Sequence, residues 1–373
     1  MTVAELEAER WYADRGRRPV GVEPLDELGA LEVVRVRFDE GEPALYTLLR
    51  GEPRWDEVFA DARGAFVAEG EPPRGSATRL EVDQSHSSWR VGEALVKCYR
   101  RLVPGLHPEV ELGRALTAEL PEHVAALRGA LHWAPGDDPP VALAVVQEFV
   151  DRAEEGWEWT AARAAHGEAG FARAVGEIAR RLHEALARAF PARESTADDL
   201  AAWRLAAEAQ LDEALELVED ELSGAAPRLR HELAELEASA PVRLTRVHGD
   251  LHLGQFLHAA RRTVVVDFEG QPTRSPASRR ALDTPLRDLA SLLRSIDHCG
   301  SYAVERHGGD EAAVVRWMHD ARRELLGGYG PHDPRLLRAL EFERAVYEFT
   351  YASRYLPDWL YAPRAGLAAL LDT

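Results

Sequence analysis

Between Val247 and Gly270 the sequence reads VHGDLHLGQFLHAARRTVVVDFEG, and the spacing of its polar residues suits one kind of chemistry. Asp250 follows a polar His-Gly turn, Gln255 comes five residues later, and Asp267 closes a β-branched run from Thr263 to Val266. Phosphoryl transfer needs few protein groups, held accurately. One carboxylate sits beside the acceptor hydroxyl, orients it and takes its proton. A second holds magnesium against the nucleotide phosphates, and an amide oxygen completes the metal's shell. Asp250, Asp267 and Gln255 fit those three roles, with a hairpin returning the second aspartate to the loop. Either aspartate alone would pass for a turn cap or a strand end; the combination carries the information. His248 and His252 form an i, i+4 pair, but neither a helix nor a third ligand accompanies them as zinc would require. His248 is expected to orient the loop by hydrogen bonding.

A second signal lies upstream. Of the 45 basic residues only Lys97 is a lysine; the other 44 are arginine. A chain that uses arginine elsewhere and lysine here points to a site that needs a compact ammonium on a flexible stem, which a guanidinium does not imitate.

The elements that must position these residues follow from periodicity. Residues 1–75 mix alternating runs at Leu31 to Phe38 and Ala44 to Leu49 with a helical stretch from Trp55 to Ala68, and predict a small α+β cap. The Gly- and Pro-rich stretch Glu69 to Ser76 marks a boundary. Thr78 to Val82, Ser88 to Val91 and Ala94 to Tyr99 then predict antiparallel strands, followed by a helix from Glu109 to Glu119 and a strand from Val141 to Val146. From Trp157 onward the pattern turns helical: Phe171, Val175, Ile178, Leu182, Leu186 and Phe190 recur at helix spacing. Further helices are expected over Asp198 to Leu222, Pro227 to Ala238 and most of the stretch to Leu371. The domain boundaries expected are 1–75 for the cap, 76–150 for a small lobe and 151–373 for a helical lobe.

Composition bounds the function. With 373 residues, 46% of them hydrophobic and 29% charged, the chain suits a globular enzyme of more than one subdomain. A net charge of -19 without a basic run disfavours nucleic acid. No stretch has the length and apolarity of a signal peptide or membrane span, so a cytoplasmic protein is expected. Cys98 and Cys299 have no metal-type spacing and are expected as small buried hydrophobes.

The motifs QSHSSW (Gln84 to Trp89), ALVKCYRRL (Ala94 to Leu102), HPEVELGRAL (His107 to Leu116), HGDLHLGQ (His248 to Gln255), VDFEG (Val266 to Gly270), PLRDLASLLRSID (Pro285 to Asp297) and AVYEFTYASRYLPDW (Ala345 to Trp359) give the chain a wider resemblance. It resembles the aminoglycoside-phosphotransferase-like kinases, and within them the maltokinase-like family that includes glucosamine kinases. The match runs through most of the chain and is weakest in the cap. It implies an α+β, bilobal, protein-kinase-like fold and an ATP- and Mg2+-dependent enzyme. It also implies that Asp250 is the catalytic base and that Asp267 holds magnesium, with Gln255 standing where relatives have asparagine. Lys97 contacts the nucleotide phosphates and pairs with Glu111; Ser85, Ser87 and Ser88 belong to a phosphate-covering turn; Gln147 and Phe149 belong to the hinge whose backbone bonds adenine. Asp288 is read as bracing the catalytic loop.

For the acceptor, the resemblance points to Asp297, Glu348 and Trp359 beside Asp250, an arrangement of acids and an aromatic face that suits a sugar. Trp157 and Trp159 are read as packing residues. Where maltokinases carry a second Tyr-Glu pair and an Arg-Pro, this chain has Tyr351-Ala352 and Leu356-Pro357, which favours glucosamine, phosphorylated on its 6-hydroxyl, over maltose. An aminoglycoside acceptor and a silent sugar- or nucleotide-binding module stand as alternatives. A protein kinase is disfavoured, because no Ala-Pro-Glu segment follows VDFEG. The sequence is silent on oligomeric state.

Overall fold

The computed structural model describes residues 3–9, 11–80, 86–271 and 273–371, which form two compact units, Met1–Arg152 and Ala153–Thr373. The fold is α+β and bilobal.

The first unit contains α1 (Val3–Ala8), β1 (Pro19–Leu28), β2 (Leu31–Phe38), β3 (Ala44–Leu49), α2 (Trp55–Ala60), β4 (Phe66–Gly70), β5 (Ala77–Leu80), β6 (His86–Val91), β7 (Ala94–Tyr99), β8 (Arg101–Leu102), α3 (Pro108–Glu119), β9 (Leu127–Trp133) and β10 (Val141–Glu148). They make a four-stranded sheet of order β1-β2-β3-β8 and a six-stranded sheet of order β4-β9-β10-β7-β6-β5, every pairing antiparallel. Strand pairing crosses residue 75: β4 joins the six-stranded sheet, and β8 returns to the sheet of the first three strands. The helix expected to reach Ala68 stops at Ala60, because the residues from Phe66 pair with β9. Strand β10 lies inside the sheet with partners on both edges, and its run VALAVVQE is buried except at its final glutamate. Apolar side chains on both faces of a strand are what such a position requires.

The second unit contains β11 (Glu154–Glu155), α4 (Gly156–Ala165), α5 (Phe171–Ala189), β12 (Arg193–Glu194), α6 (Ala197–Leu217), α7 (Glu219–Leu222), α8 (Ala226–Ala238), β13 (Arg243–Leu244), β14 (Phe256–Ala259), β15 (Arg262–Val265), α9 (Pro276–Arg280), α10 (Pro285–His307), α11 (Glu311–Tyr329), α12 (Pro334–Tyr355) and α13 (Tyr361–Leu371). Helix α10 is its axis, packed against α4, α11, α12 and α13. Its start is specified locally: Pro285 occupies the first turn, where a missing N–H costs nothing, and the Thr284 hydroxyl accepts from Leu286 N. Its end is set by Gly308 at φ +67°. Strands β14 and β15 form the expected hairpin, and β11 pairs with β14.

Candidate active site

Strand alternation places Lys97 and Tyr99 on one face of β7, and both reach the same carboxylate. Lys97 Nζ lies 2.9 and 3.2 Å from the two oxygens of Glu109, Tyr99 donates its hydroxyl at 3.1 Å, and Gln147 Nε2 donates at 2.7 Å. Glu109 is fully buried, and the Lys97 side chain is 8% exposed. The acid that holds Lys97 is therefore Glu109, where Glu111 was expected. Positions two apart on a helix face away from each other, and Glu109, in the first turn of α3, is the one turned inward. His107 caps that helix through Nδ1, accepting from Glu109 N at 3.3 Å, and stacks on Tyr99 with ring centroids 4.2 Å apart. Backbone, ring and hydroxyl together fix the acid that aims the ammonium.

The structure bears on three other expectations in this unit. Ser87 and Ser88 are buried on β6, opposite Cys98 and Lys97, so they belong to a strand and not a turn; Ser87 Oγ accepts from Arg100 Nε at 3.0 Å. Ser85 lies outside the described residues. Gln147 is held in the sheet by its backbone and turns its side chain to Glu109. The Phe149 N–H is taken by the Glu93 carbonyl at 2.9 Å, and its ring lies under the Arg90 guanidinium, 4.4 Å away.

In the second unit the loop after β13 is gripped at both ends by α10. Asp288 Oδ2 accepts from His248 N at 2.8 Å and Oδ1 from Gly249 N at 2.9 Å, while seven residues along the helix Ser295 Oγ accepts from Leu253 N at 3.1 Å. Gly249 takes φ +82°, a conformation that glycine adopts without penalty. Asp288 also meets His183 Nε2 at 3.1 Å, and His183 Nδ1 lies 2.9 Å from the Tyr329 hydroxyl. Burial alone would raise the Asp288 carboxyl, but the hydrogen bond and charge of His183 and the backbone donors outweigh it and hold it below the usual aspartate range. His248 Nε2 meets the Val266 carbonyl at 3.0 Å, tying the loop to the end of β15 as expected for a loop-orienting histidine.

Between those clamps Asp250 projects with its side chain 18% exposed, and Arg344 of α12 reaches its Oδ1 at 3.4 Å. Asp267 follows β15 at φ +69°, a strained conformation for a residue with a side chain. Its Oδ2 lies 3.3 Å from Gln255 Nε2, which also lies 3.3 Å from His252 Nε2. A carboxylate and an amide side by side are hard oxygen donors of the kind magnesium takes alongside phosphate and water, and a flip of the Gln255 amide turns its oxygen toward Asp267. Burial lowers the His252 pKa, keeping that ring neutral beside them.

Asp250 opens into a cavity of about 320 Å³ within the second unit, lined also by His298, Glu348 and Trp359. Glu348 is held by Arg294, 2.8 Å away, and by His298 at 3.1 Å; the Arg294 charge and these hydrogen bonds overcome its burial and depress its pKa. Trp359 stacks on Tyr302, with rings 10° from parallel. Trp157, read as packing, also lines this cavity and lies 6.5 Å from Trp359. Asp297 is not among the lining residues. Its Oδ2 accepts from Arg294 and Arg322, each at 3.1 Å, which makes it a buried counter-ion beneath the site. Trp159 packs on His258 at 3.7 Å, as expected of a structural residue.

His183, Tyr329, His298 and Arg344 escaped the sequence reading. The first two join α5 and α11 to Asp288 from more than a hundred residues away in sequence for His183, a juxtaposition no local pattern encodes. Arg344 and His298 lay beside motifs already singled out, at helical spacing from Glu348 and Arg294 respectively, and that spacing was the available signal.

Comparison with known proteins agrees with this geometry. Residues 76–298 match the model of the phosphotransferase enzyme family, APH. A glucosamine kinase of Streptacidiphilus jiangxiensis is 36% identical over 343 residues, covering 82% of this chain and 77% of that protein. One from Mycolicibacterium smegmatis is 34% identical over 332 residues, covering 82% and 81%. Among solved structures, a glucosamine kinase in complex with glucosamine, ADP and inorganic phosphate superposes with a TM-score of 0.76 at 30% identity, covering 100% of both chains. A second crystal form of a glucosamine kinase gives 0.80 at 31% identity, covering 100% of this chain and 99% of that one. With more than half of its length matched by the family model and curated relatives above 30% identity, the chain belongs to the APH phosphotransferase enzyme family.

Proposed function

We propose that this protein is an ATP-dependent glucosamine kinase that transfers the γ-phosphoryl group of ATP to the 6-hydroxyl of glucosamine in the cytoplasm. The observation that carries the proposal is the projection of Asp250 into a cavity that also presents Glu348, His298 and Trp359. At about 320 Å³ that cavity stands at the small end of ligand sites and has room for a hexose ring. Relatives named as glucosamine kinases support the choice of acceptor.

In this reading Asp250 accepts the hydroxyl proton as the acceptor oxygen attacks the γ-phosphorus and the bond to the β-phosphate oxygen breaks; ADP and the sugar phosphate leave. Lys97, aimed by Glu109, Tyr99 and Gln147, holds the nucleotide phosphates. Asp267 and Gln255 would hold magnesium, which when bound offsets charge on the phosphates. The Trp359 face stacks on the sugar ring, and Glu348 accepts from its polar groups. No described helix is long and apolar enough to cross a membrane.

The deciding experiment offers purified protein ATP, magnesium and a panel of glucosamine, glucose, N-acetylglucosamine, maltose and an aminoglycoside, following ADP release. Glucosamine should give the highest kcat/KM, with phosphate found on its 6-hydroxyl by NMR. Equal or better turnover of maltose or the aminoglycoside, with glucosamine inert, overturns the proposal.

A further inference from the structure

A second cavity, of about 250 Å³, lies in the second unit on the other side of the residues flanking Asp250. Its wall carries the uncharged polar side chains Gln210, Gln271 and Thr273. Six charged residues line it: Arg287 pairs with Asp283 at 2.7 Å and with Glu343, Arg274 reaches Asp283 at 3.3 Å, Asp288 meets His183 Nε2 at 3.1 Å, and Arg344 reaches Asp250 at 3.4 Å. Amides and hydroxyls on a wall whose charged groups have partners of their own suit a neutral, hydroxyl-rich ligand better than an ion.

Three residues line both this cavity and the one that holds Asp250: Ser291, Arg344 and Tyr347. They are therefore the wall between the two. Ser291 is short and buried, and the Tyr347 hydroxyl is tied to Thr273 Oγ1 at 3.1 Å. Arg344 supplies the remaining bulk, and it is loosely held. Its Nη2 is 3.4 Å from Asp250 Oδ1, its Nε is 3.9 Å from Glu348 Oε1, and its guanidinium carbon is 4.9 Å from the Tyr347 ring centroid. The Nε atom is buried and makes no hydrogen bond to any described residue.

We propose that Arg344 is a specificity-determining partition: it confines the acceptor to a single sugar ring, and the cavity behind it is a latent subsite for the second ring of a larger, hydroxyl-rich acceptor. The inference rests on the sugar-kinase reading above and deepens it. An acceptor whose reacting hydroxyl meets Asp250 can extend past this position only where the arginine is absent or turned aside. The cavity beyond offers the amide and hydroxyl groups that a second ring would bond.

The test compares kcat/KM for the β-1,4-linked glucosamine dimer with that for glucosamine on the same enzyme, so that loss of turnover from disturbing Asp250 cancels in the ratio. Truncation in Arg344→Ala should raise the ratio by at least about tenfold, the scale on which pocket shape discriminates acceptors. Adding Gln210→Phe, which fills the second cavity, should remove that gain. Should the alanine variant fail to melt cooperatively, Arg344→Gln makes the same measurement on a shorter side chain that retains a donor for Asp250. An unchanged or lower ratio in the folded variants, or a gain that persists with Gln210→Phe, overturns the partition. If the unmodified enzyme phosphorylates no sugar, the sugar-kinase reading fails instead, and the ratio of dimer to monomer affinity by calorimetry still tests the partition.

Discussion

Asp288→Asn probes how the catalytic loop is held. The Asp288 carboxylate, 1% exposed, accepts from His248 N at 2.8 Å, Gly249 N at 2.9 Å and His183 Nε2 at 3.1 Å. An asparagine of the same shape keeps one oxygen for one backbone N–H but turns an NH2 group toward another donor. The change removes one charge-assisted hydrogen bond, about 1.5–3 kcal/mol, and leaves a buried donor unsatisfied, a further 1–3 kcal/mol or so. Partial relaxation of the loop recovers some of this, so a loss of about 3 kcal/mol in unfolding free energy is expected, measured by urea titration with an unchanged slope. Because the same two N–H groups immediately precede Asp250 in sequence, displacement should also lower kcat by about a hundredfold, the consequence of an ångström-scale misplacement, while KM for ATP stays near its original value. A variant within about 0.5 kcal/mol of the original in stability and unchanged in kcat would refute the clamp. A stability loss with kcat intact would confine Asp288 to the fold.

Asp250→Asn should lower kcat by about a thousandfold with nucleotide affinity retained in equilibrium titration, as expected for loss of a general base. Gly156→Ala should destabilise the protein by roughly 1–3 kcal/mol in thermal and urea unfolding and reduce kcat. A Cβ there would collide with the Leu253 carbonyl oxygen and stand 2.7 Å from that of Phe256, both on the segment that carries Gln255. Lys97→Arg should lose most turnover, since the 8%-exposed site around Glu109 admits a compact ammonium and the planar guanidinium is larger; retained kcat/KM would count against the phosphate-holding role. His258 supplies a pH signature. Burial, with the Arg163 charge, drops its pKa from 6.5 to about 4, so between those values the unfolded chain binds the extra proton. Stability is therefore full above pH 6.5 and falls as pH is lowered through that window, and His258→Phe should flatten this part of a melting-temperature profile.

The chemistry was legible in sequence because it is local. Asp250, Gln255 and Asp267 lie within eighteen consecutive residues, and a hairpin between the last two is a short-range structure that β-branched residues and a turn specify by themselves. Lys97 was legible for a different reason: a single lysine among arginines stands out in composition before any fold is known. The axial helix α10 declared both of its ends through Thr284, Pro285 and Gly308.

Tertiary structure decided which side chains meet. Glu109 and Glu111 are equivalent on paper, and only the packing of α3 shows which one points inward to Lys97. Asp297 and Glu348 are both acids in promising motifs, yet two arginines bury one beneath the site while the other reaches the cavity. Ser87 and Ser88 resemble a turn until β7 and β6 align in register. His183 braces Asp288 across 105 residues of sequence, and Arg344 reaches Asp250 across 94. Sequence patterns record the periods of single helices and strands, whereas contacts between distant elements follow from how their faces pack, which no local period encodes.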